Sequence, residues 1–324
     1  MKVSDRGRSL SSRRATEPSE AVARGGQGTL RRPIGFRTER KGSVMHTRRE
    51  FLVNMGLACA GLSALRGSAG TEIGKKRIPV GVQLYSFRKQ GEKDFAGIIA
   101  KAAEIGFSGV EFAGYGPYGD KPGELRKLLD DAGLKVFGTH TGYNLVMPDK
   151  IQQTIAFHKT IGCPYMIVPW IDPKQLATKD GSLKVAEVLT RASETAQAAG
   201  LHVGYHAHGG DFKKIEGGQT AWEVLFDHTP QAFVHQIDLG NCLGGGGDPY
   251  ALIERYPGRS LSVHLKEHGG PAGAVFGQGV VDFKRALALC EKVGGTTCYI
   301  IEHESDPENA FATARQCLEY VKSL

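Results

Sequence analysis

The chain has 324 residues, 40% of them apolar, enough to bury a sizeable core and too evenly mixed with polar residues for a wholly disordered chain or a membrane bundle. Its formal charge of +7 belongs to the leader: residues 1–44 carry +7 and residues 45–70 a further +2, so everything after Gly70 sums to −2. A near-neutral body lacks the electrostatic footprint of a DNA- or RNA-binding surface, and nucleic acid is not an expected partner.

Residues 1–44 are rich in Arg, Gly and Ser without apolar periodicity and read as a disordered basic leader. In "MHTRREFLVNMGLACAGLSALRGSAG", Thr47, Arg48, Arg49, Phe51 and Leu52 resemble a twin-arginine export signal over residues 45–70. A weakly apolar stretch, Val53 to Leu65, follows the arginine pair and is too short to span a bilayer; small residues suited to cleavage come next. Met45 stands where such a signal starts, so residues 1–44 read as an extension from a start site set too early. The mature chain, residues 71–324, is expected to be periplasmic and to have no membrane span. Of the six cysteines, Cys59 falls in the signal; the other five are scattered, form no CxxC pair and read as buried free thiols.

From Pro79 onward, short runs rich in β-branched residues alternate with longer segments of helical period. The expected strands are "PVGVQLYS", "GVEFAGY", "KVFGTH", "YMIVPW", "HVGYHAH", "FVHQID", "LSVHLKE" and "CYIIEHE". Between them lie striped helices such as "DFAGIIAKAAEIG", where Phe95, Ile98, Ile99, Ala102 and Ile105 share a face and Gly106 is a natural stop. "GELRKLLDDAG" and "PENAFATARQCLEYVKSL" show the same pattern. Eight such alternations in about 250 residues predict an α/β fold, a single-domain (β/α)8 TIM barrel. "GNCLGGGGDP" lacks the ending of a phosphate loop and reads as a mobile loop over one barrel face.

Chemistry in such a barrel sits at the C-terminal ends of the strands. The strand ends carry Gln83, Tyr85 and Phe87; Glu111; His140; Trp170; His206 and His208; Asp238; His264 and Lys266; and Glu302, His303 and Glu304. A single histidine there is usually structural, but seven of eight strands delivering polar groups to one rim argues for a site. His206, Asp238, His264 and Glu302 come from four consecutive strands. Two imidazoles and two carboxylates suit Mn²⁺, Zn²⁺, Fe²⁺ or Co²⁺ better than Ca²⁺. Strand alternation puts His208 on the same face as His206, placing it to reach substrate. The competing reading of the quartet is a polar barrel mouth of ion pairs without metal.

At these residues the chain resembles the sugar phosphate isomerase/epimerase family of xylose isomerase-like TIM barrels. The resemblance runs from Pro79 to the C-terminus through "GVQLYSFR", "AAEIGFSGVEFAGY", "LKVFGTH", "YMIVPW", "GYHAHGGDF", "DLGNC", "SVHLKE", "GQGVVDF" and "YIIEHES". It implies one divalent metal, manganese first and zinc, cobalt or iron as alternatives, held by His206, Asp238, His264 and Glu302. It also marks a departure: His206 stands where sugar epimerases of this type commonly place a glutamate that is both ligand and acid/base. The proton-transfer candidates are then Glu302, Glu111, His140, His208 and Lys266, with Lys266 alternatively polarising a carbonyl. Gln83, Tyr85, Trp170, His208 and Lys266 are expected to contact substrate, with Tyr85, Phe87 and Trp170 offering apolar walls or core packing.

The leading expectation is a metal-dependent isomerase or epimerase that acts on a sugar or keto-sugar through a metal-stabilised enediolate. Export and the scarcity of rim cations beyond Lys266 and Arg88 point to an unphosphorylated substrate. Two alternatives are a 3-keto-glycoside lyase or hydrolase working by metal-assisted elimination, and a noncatalytic sugar-binding barrel. The DNA-repair endonucleases of the same superfamily fit the charge poorly.

Overall fold

A computed structural model describes residues 77–324; the residues read above as a basic leader and as a twin-arginine signal lie outside the described residues. All eight expected strands form: β1 (Val80–Gln83), β2 (Gly109–Phe112), β3 (Lys135–His140), β4 (Tyr165–Val168), β5 (His202–His206), β6 (Val234–Gln236), β7 (Ser262–Leu265) and β8 (Cys298–Ile301). Between and after them run α1 (Phe95–Ile105), α2 (Pro122–Asp131), α3 (Ile151–Ile161), α4 (Lys179–Ala198), α5 (Ala221–Asp227), α6 (Pro249–Arg255), α7 (Phe283–Leu289) and α8 (Ala310–Ser323). Every strand pair is parallel, in the order β6-β5-β4-β3-β2-β1-β8-β7. A bridge between Asp238 and His264, with the His264 amide donating to the Ile237 carbonyl at 2.9 Å, joins β6 to β7 and completes a (β/α)8 barrel.

Local chemistry explains the elements. In α1 the Asp94 carboxylate caps the Gly97 amide at 2.8 Å, Ile98, Ile99, Ala102 and Ile105 are buried, and Gly106 ends the helix at φ 99°, a left-handed turn that suits glycine. The strands are shorter than their apolar runs because the chain turns away at the rim; after Gln83, for instance, Leu84–Phe87 form a 3₁₀ turn. Phe87 is core, packed on Phe311 with ring centroids 4.8 Å apart, and is not a wall of the site. The first part of the glycine-rich segment also differs from a mobile loop: Leu239–Gly244 is a short helix whose first turn is capped by Asp238. The five described cysteines are free and buried.

Two apolar clusters divide the core. The larger joins strands to helices; the smaller contains Phe137, Tyr165, Ile167, Val234, Cys298 and Ile300. Strand alternation then sets the depth of the site: Val234–Gln236–Asp238 and Cys298–Ile300–Glu302 each step along one face from apolar at the strand's start to polar at its end.

Two histidines outside the site make the fold acid-sensitive. Burial, with Arg259 nearby, lowers His235 to about 3, and its Nε2 accepts from Trp222 Nε1 at 3.0 Å. Burial lowers His158 to about 4; its Nδ1 donates to the Thr154 carbonyl at 2.6 Å. Both stay neutral in the fold but protonate near pH 6.5 once unfolded, so their contribution is complete above that pH and is lost as pH falls below it. At up to ~1.4 kcal/mol per pH unit each, urea denaturation is expected to show a loss of about 3 kcal/mol between pH 6 and pH 4.5. A flat profile over that interval would contradict this.

Candidate active site

Strands β5 to β8 bring His206, Asp238, His264 and Glu302 together: one ligand atom from each lies within 4.8 Å of the others, and all four residues are buried. His140, from β3, makes a second such group with His206 and His264. Beneath them sits Glu111, fully buried. Its carboxylate accepts from Gln83 Nε2 at 2.9 Å, Gln236 Nε2 at 2.7 Å and His264 Nε2 at 2.5 Å, and lies 3.2 Å from His140 Nε2. Burial opposes ionisation of Glu111, yet the His264 and His140 charges and their hydrogen bonds hold it well below the usual carboxylate range.

This seating depends on a bulge and a glycine. The β2–β3 register shifts between Val110 and Glu111, setting Glu111 opposite Gly138, where an added Cβ would lie 2.4 Å from Glu111 Oε1. Gly138→Ala is therefore expected to push the carboxylate aside and to weaken divalent-metal binding by about 10–100-fold, the usual effect of losing a group that orients a ligand. Chelator competition measures it, and an unchanged affinity would remove Glu111 from that role.

The hydrogen-bond network assigns the imidazole tautomers. Glu111 is an acceptor, so the Gln236 atom facing it is the amide nitrogen, which also meets Ser262 Oγ at 3.0 Å. Gln236 Oε1 then accepts from His206 Nδ1 at 3.0 Å, leaving a lone pair on His206 Nε2. His264 lies between carboxylates, with Nδ1 2.8 Å from Glu302 Oε2 and 3.8 Å from Asp238 Oδ2. Burial disfavours its charge, but Glu111 and Glu302 outweigh that and push it up to about 10, so without a metal ion its Nδ1 carries a proton among these oxygens.

Asp238 supplies the test of fit. Its Oδ1 accepts from the Asn241 amide at 2.7 Å, while its buried Oδ2 has no hydrogen-bond partner among the described residues. Burial pushes this carboxylate up to about 6 despite the Lys266 charge. An orphaned oxygen in a buried carboxylate calls for a cation, and the two-imidazole, two-carboxylate set can hold a divalent transition metal.

The remaining expected residues divide by position. His208 follows β5 by two residues and is exposed at the rim, its ring centroid 4.9 Å from that of His206. Partial desolvation, followed by the His140 and Lys266 charges, lowers it to about 4, so it is a neutral imidazole at pH 7. Lys266 is ion-paired with Glu304 and lies 3.5 Å from Glu302 Oε1. Burial opposes its charge, but Asp238, Glu302 and Glu304 raise it above the ordinary lysine value. These contacts hold Lys266 as a cation at the rim. Gln83 spends its amide on Glu111 and the Tyr85 amide, and both Gln83 and Glu111 are buried beneath the imidazoles. Tyr85 and Trp170 are exposed, at 43% and 59%, so neither is core. Gln236 was missed by reading strand ends alone, although alternation with Val234 and Asp238 marks its face.

Fold and site together define a (β/α)8 protein with a buried, metal-competent cluster at the C-terminal rim. The chain belongs to the family described as the xylose isomerase-like TIM barrel, whose model matches residues 99–324. It is 24% identical over 273 residues to an inosose dehydratase of Geobacillus kaustophilus (strain HTA426), covering 70% of this chain and 86% of the relative. An inosose dehydratase of Bacillus thuringiensis (strain Al Hakam) is 28% identical over 181 residues, 48% of this chain, which spans 59% of that relative's length. Among solved structures, a sugar phosphate isomerase/epimerase from Parabacteroides distasonis ATCC 8503 superposes with a TM-score of 0.65 at 25% identity, covering 76% of this chain and 98% of that one.

Proposed function

We propose that the protein is a divalent-metal-dependent enzyme that removes a proton from the carbon next to the carbonyl of an unphosphorylated keto-sugar or cyclic keto-polyol, and then eliminates a β-oxygen. The observation that carries this reading is the neutral His208 imidazole, its ring 4.9 Å from that of His206 in the His206–Asp238–His264–Glu302 cluster. When bound, the ion, manganese first, would supply a Lewis acid for the carbonyl and a neighbouring hydroxyl oxygen. His206 and His264, held by Gln236 and Glu111, keep the ligand set in place. His208 takes the proton, and Lys266, fixed by Glu302 and Glu304, stabilises negative charge as it develops on substrate oxygen.

Epimerisation needs proton donors on both faces of the carbon, and His206 in place of a glutamate removes the carboxylate that commonly supplies one, leaving His140 as the other candidate beside His208. Glu302 is bound to His264 and Lys266, and Glu111 is enclosed. Elimination needs one base, and relatives named inosose dehydratase support that outcome. Isomerisation by a proton shift between adjacent carbons also needs one base and is the second reading, supported by the sugar phosphate isomerase/epimerase neighbour. Lys266 is ion-paired and Arg88 donates to the Tyr85 and Glu304 carbonyls, so neither of these two is a free phosphate clamp. Incubation of metal-loaded protein in D₂O with 3-keto-glycosides and inososes separates the outcomes. Release of water or an aglycone supports elimination, deuterium gained on an intact skeleton supports isomerisation, and an inert protein contradicts both.

A further inference from the structure

Beside the catalytic rim, between the segments that follow β4 and β5, lies a cavity of about 420 Å³. Trp170, Ile171, Pro173, Leu176 and Ile215 are among its lining residues, as is His208. His208 therefore links this cavity to the cluster, since its ring is also 4.9 Å from that of His206. Two charged residues also line it. Asp211 spends both carboxylate oxygens internally, on Tyr205 Oη at 3.1 Å and on the His208 amide at 2.8 Å, and Lys213 is exposed. The size suits a small-molecule site, yet the walls have few groups able to satisfy sugar hydroxyls, whose burial without partners is unfavourable. Trp170 remains 59% exposed, a bare aromatic face at the cavity.

We propose that this cavity is the subsite for an apolar, planar group attached to the sugar, making the substrate class aryl glycosides rather than free sugars. The inference rests on the keto-sugar reading above and deepens it: the sugar ring lies over the cluster, His208 stands at the junction, and the aryl group rests against Trp170.

Binding and turnover are tested separately, using the manganese-loaded full chain. Calorimetric titration with phenyl β-glucoside and methyl β-glucoside, neither of which carries the reactive carbonyl, is expected to show at least tenfold tighter binding of the phenyl compound. In Trp170→Ala and in Ile215→Arg the ratio is expected to fall to near one. Equal affinities in the parent protein, or a ratio unchanged in both variants, overturns the proposal. The 3-keto forms of the same two glycosides are then assayed for conversion. An aryl preference with no conversion of either compound supports the cavity assignment and overturns the keto-sugar reading.

Discussion

Replacing Asp238 with asparagine is expected to lower kcat/KM by at least ~10³-fold while leaving the fold as stable as the parent. A Lewis-acid metal lowers barriers by several kcal/mol, and about 4 kcal/mol corresponds to three decades in rate. Asparagine keeps an oxygen to cap the Asn241 amide, as Asp238 Oδ1 does at 2.7 Å, so the helix after β6 retains its start. What is lost is the charge on the oxygen that has no protein partner. Since burial already pushes this carboxylate up to about 6, removing its charge does not harm the metal-free protein. Thermal unfolding in chelator and steady-state kinetics in excess manganese measure the two halves of this expectation. A variant that unfolds, or one that stays active, would contradict the role given to Asp238.

His208→Ala is expected to lower kcat by about 10²–10⁴-fold, the usual contribution of a positioned general base, while leaving metal content unchanged. A base works when unprotonated, and His208 is lowered to about 4, chiefly by desolvation, with the Lys266 charge acting in the same direction. Activity in the parent should therefore persist as pH falls through 6.5, failing only nearer pH 4, where the fold itself weakens. A bound cation would lower His208 further in the same direction. An alanine variant that keeps the parent's kcat assigns the proton transfer elsewhere, and one that loses its metal makes His208 part of the binding set.

Much of this was legible in the chain before folding. "KVFGTH" matches β3 residue for residue, and every expected strand formed, because β-branched runs bounded by polar turns have few alternatives in a parallel barrel. The quartet was legible for the same reason. Asp238 and Glu302 lie two residues beyond Gln236 and Ile300 on faces whose apolar ends are buried, and alternation aims them at one rim. The support beneath it was hidden. Glu111 reads as a rim carboxylate until its register shift and its contact with Gln236, 125 residues away, are known. Gly138 signals only that something passes close to β3. Whether Trp170 packs inward or stands open depends on the path of a loop after its strand, which no periodicity describes.

The most direct test of the central claim is elemental analysis of the purified chain after exposure to manganese, zinc, cobalt and iron, alongside His206→Ala. One stoichiometric divalent transition ion per chain, lost or greatly weakened in the variant, is the predicted result. A folded parent that holds no such ion would contradict the account, leaving the quartet as an ion-pair network at the barrel mouth.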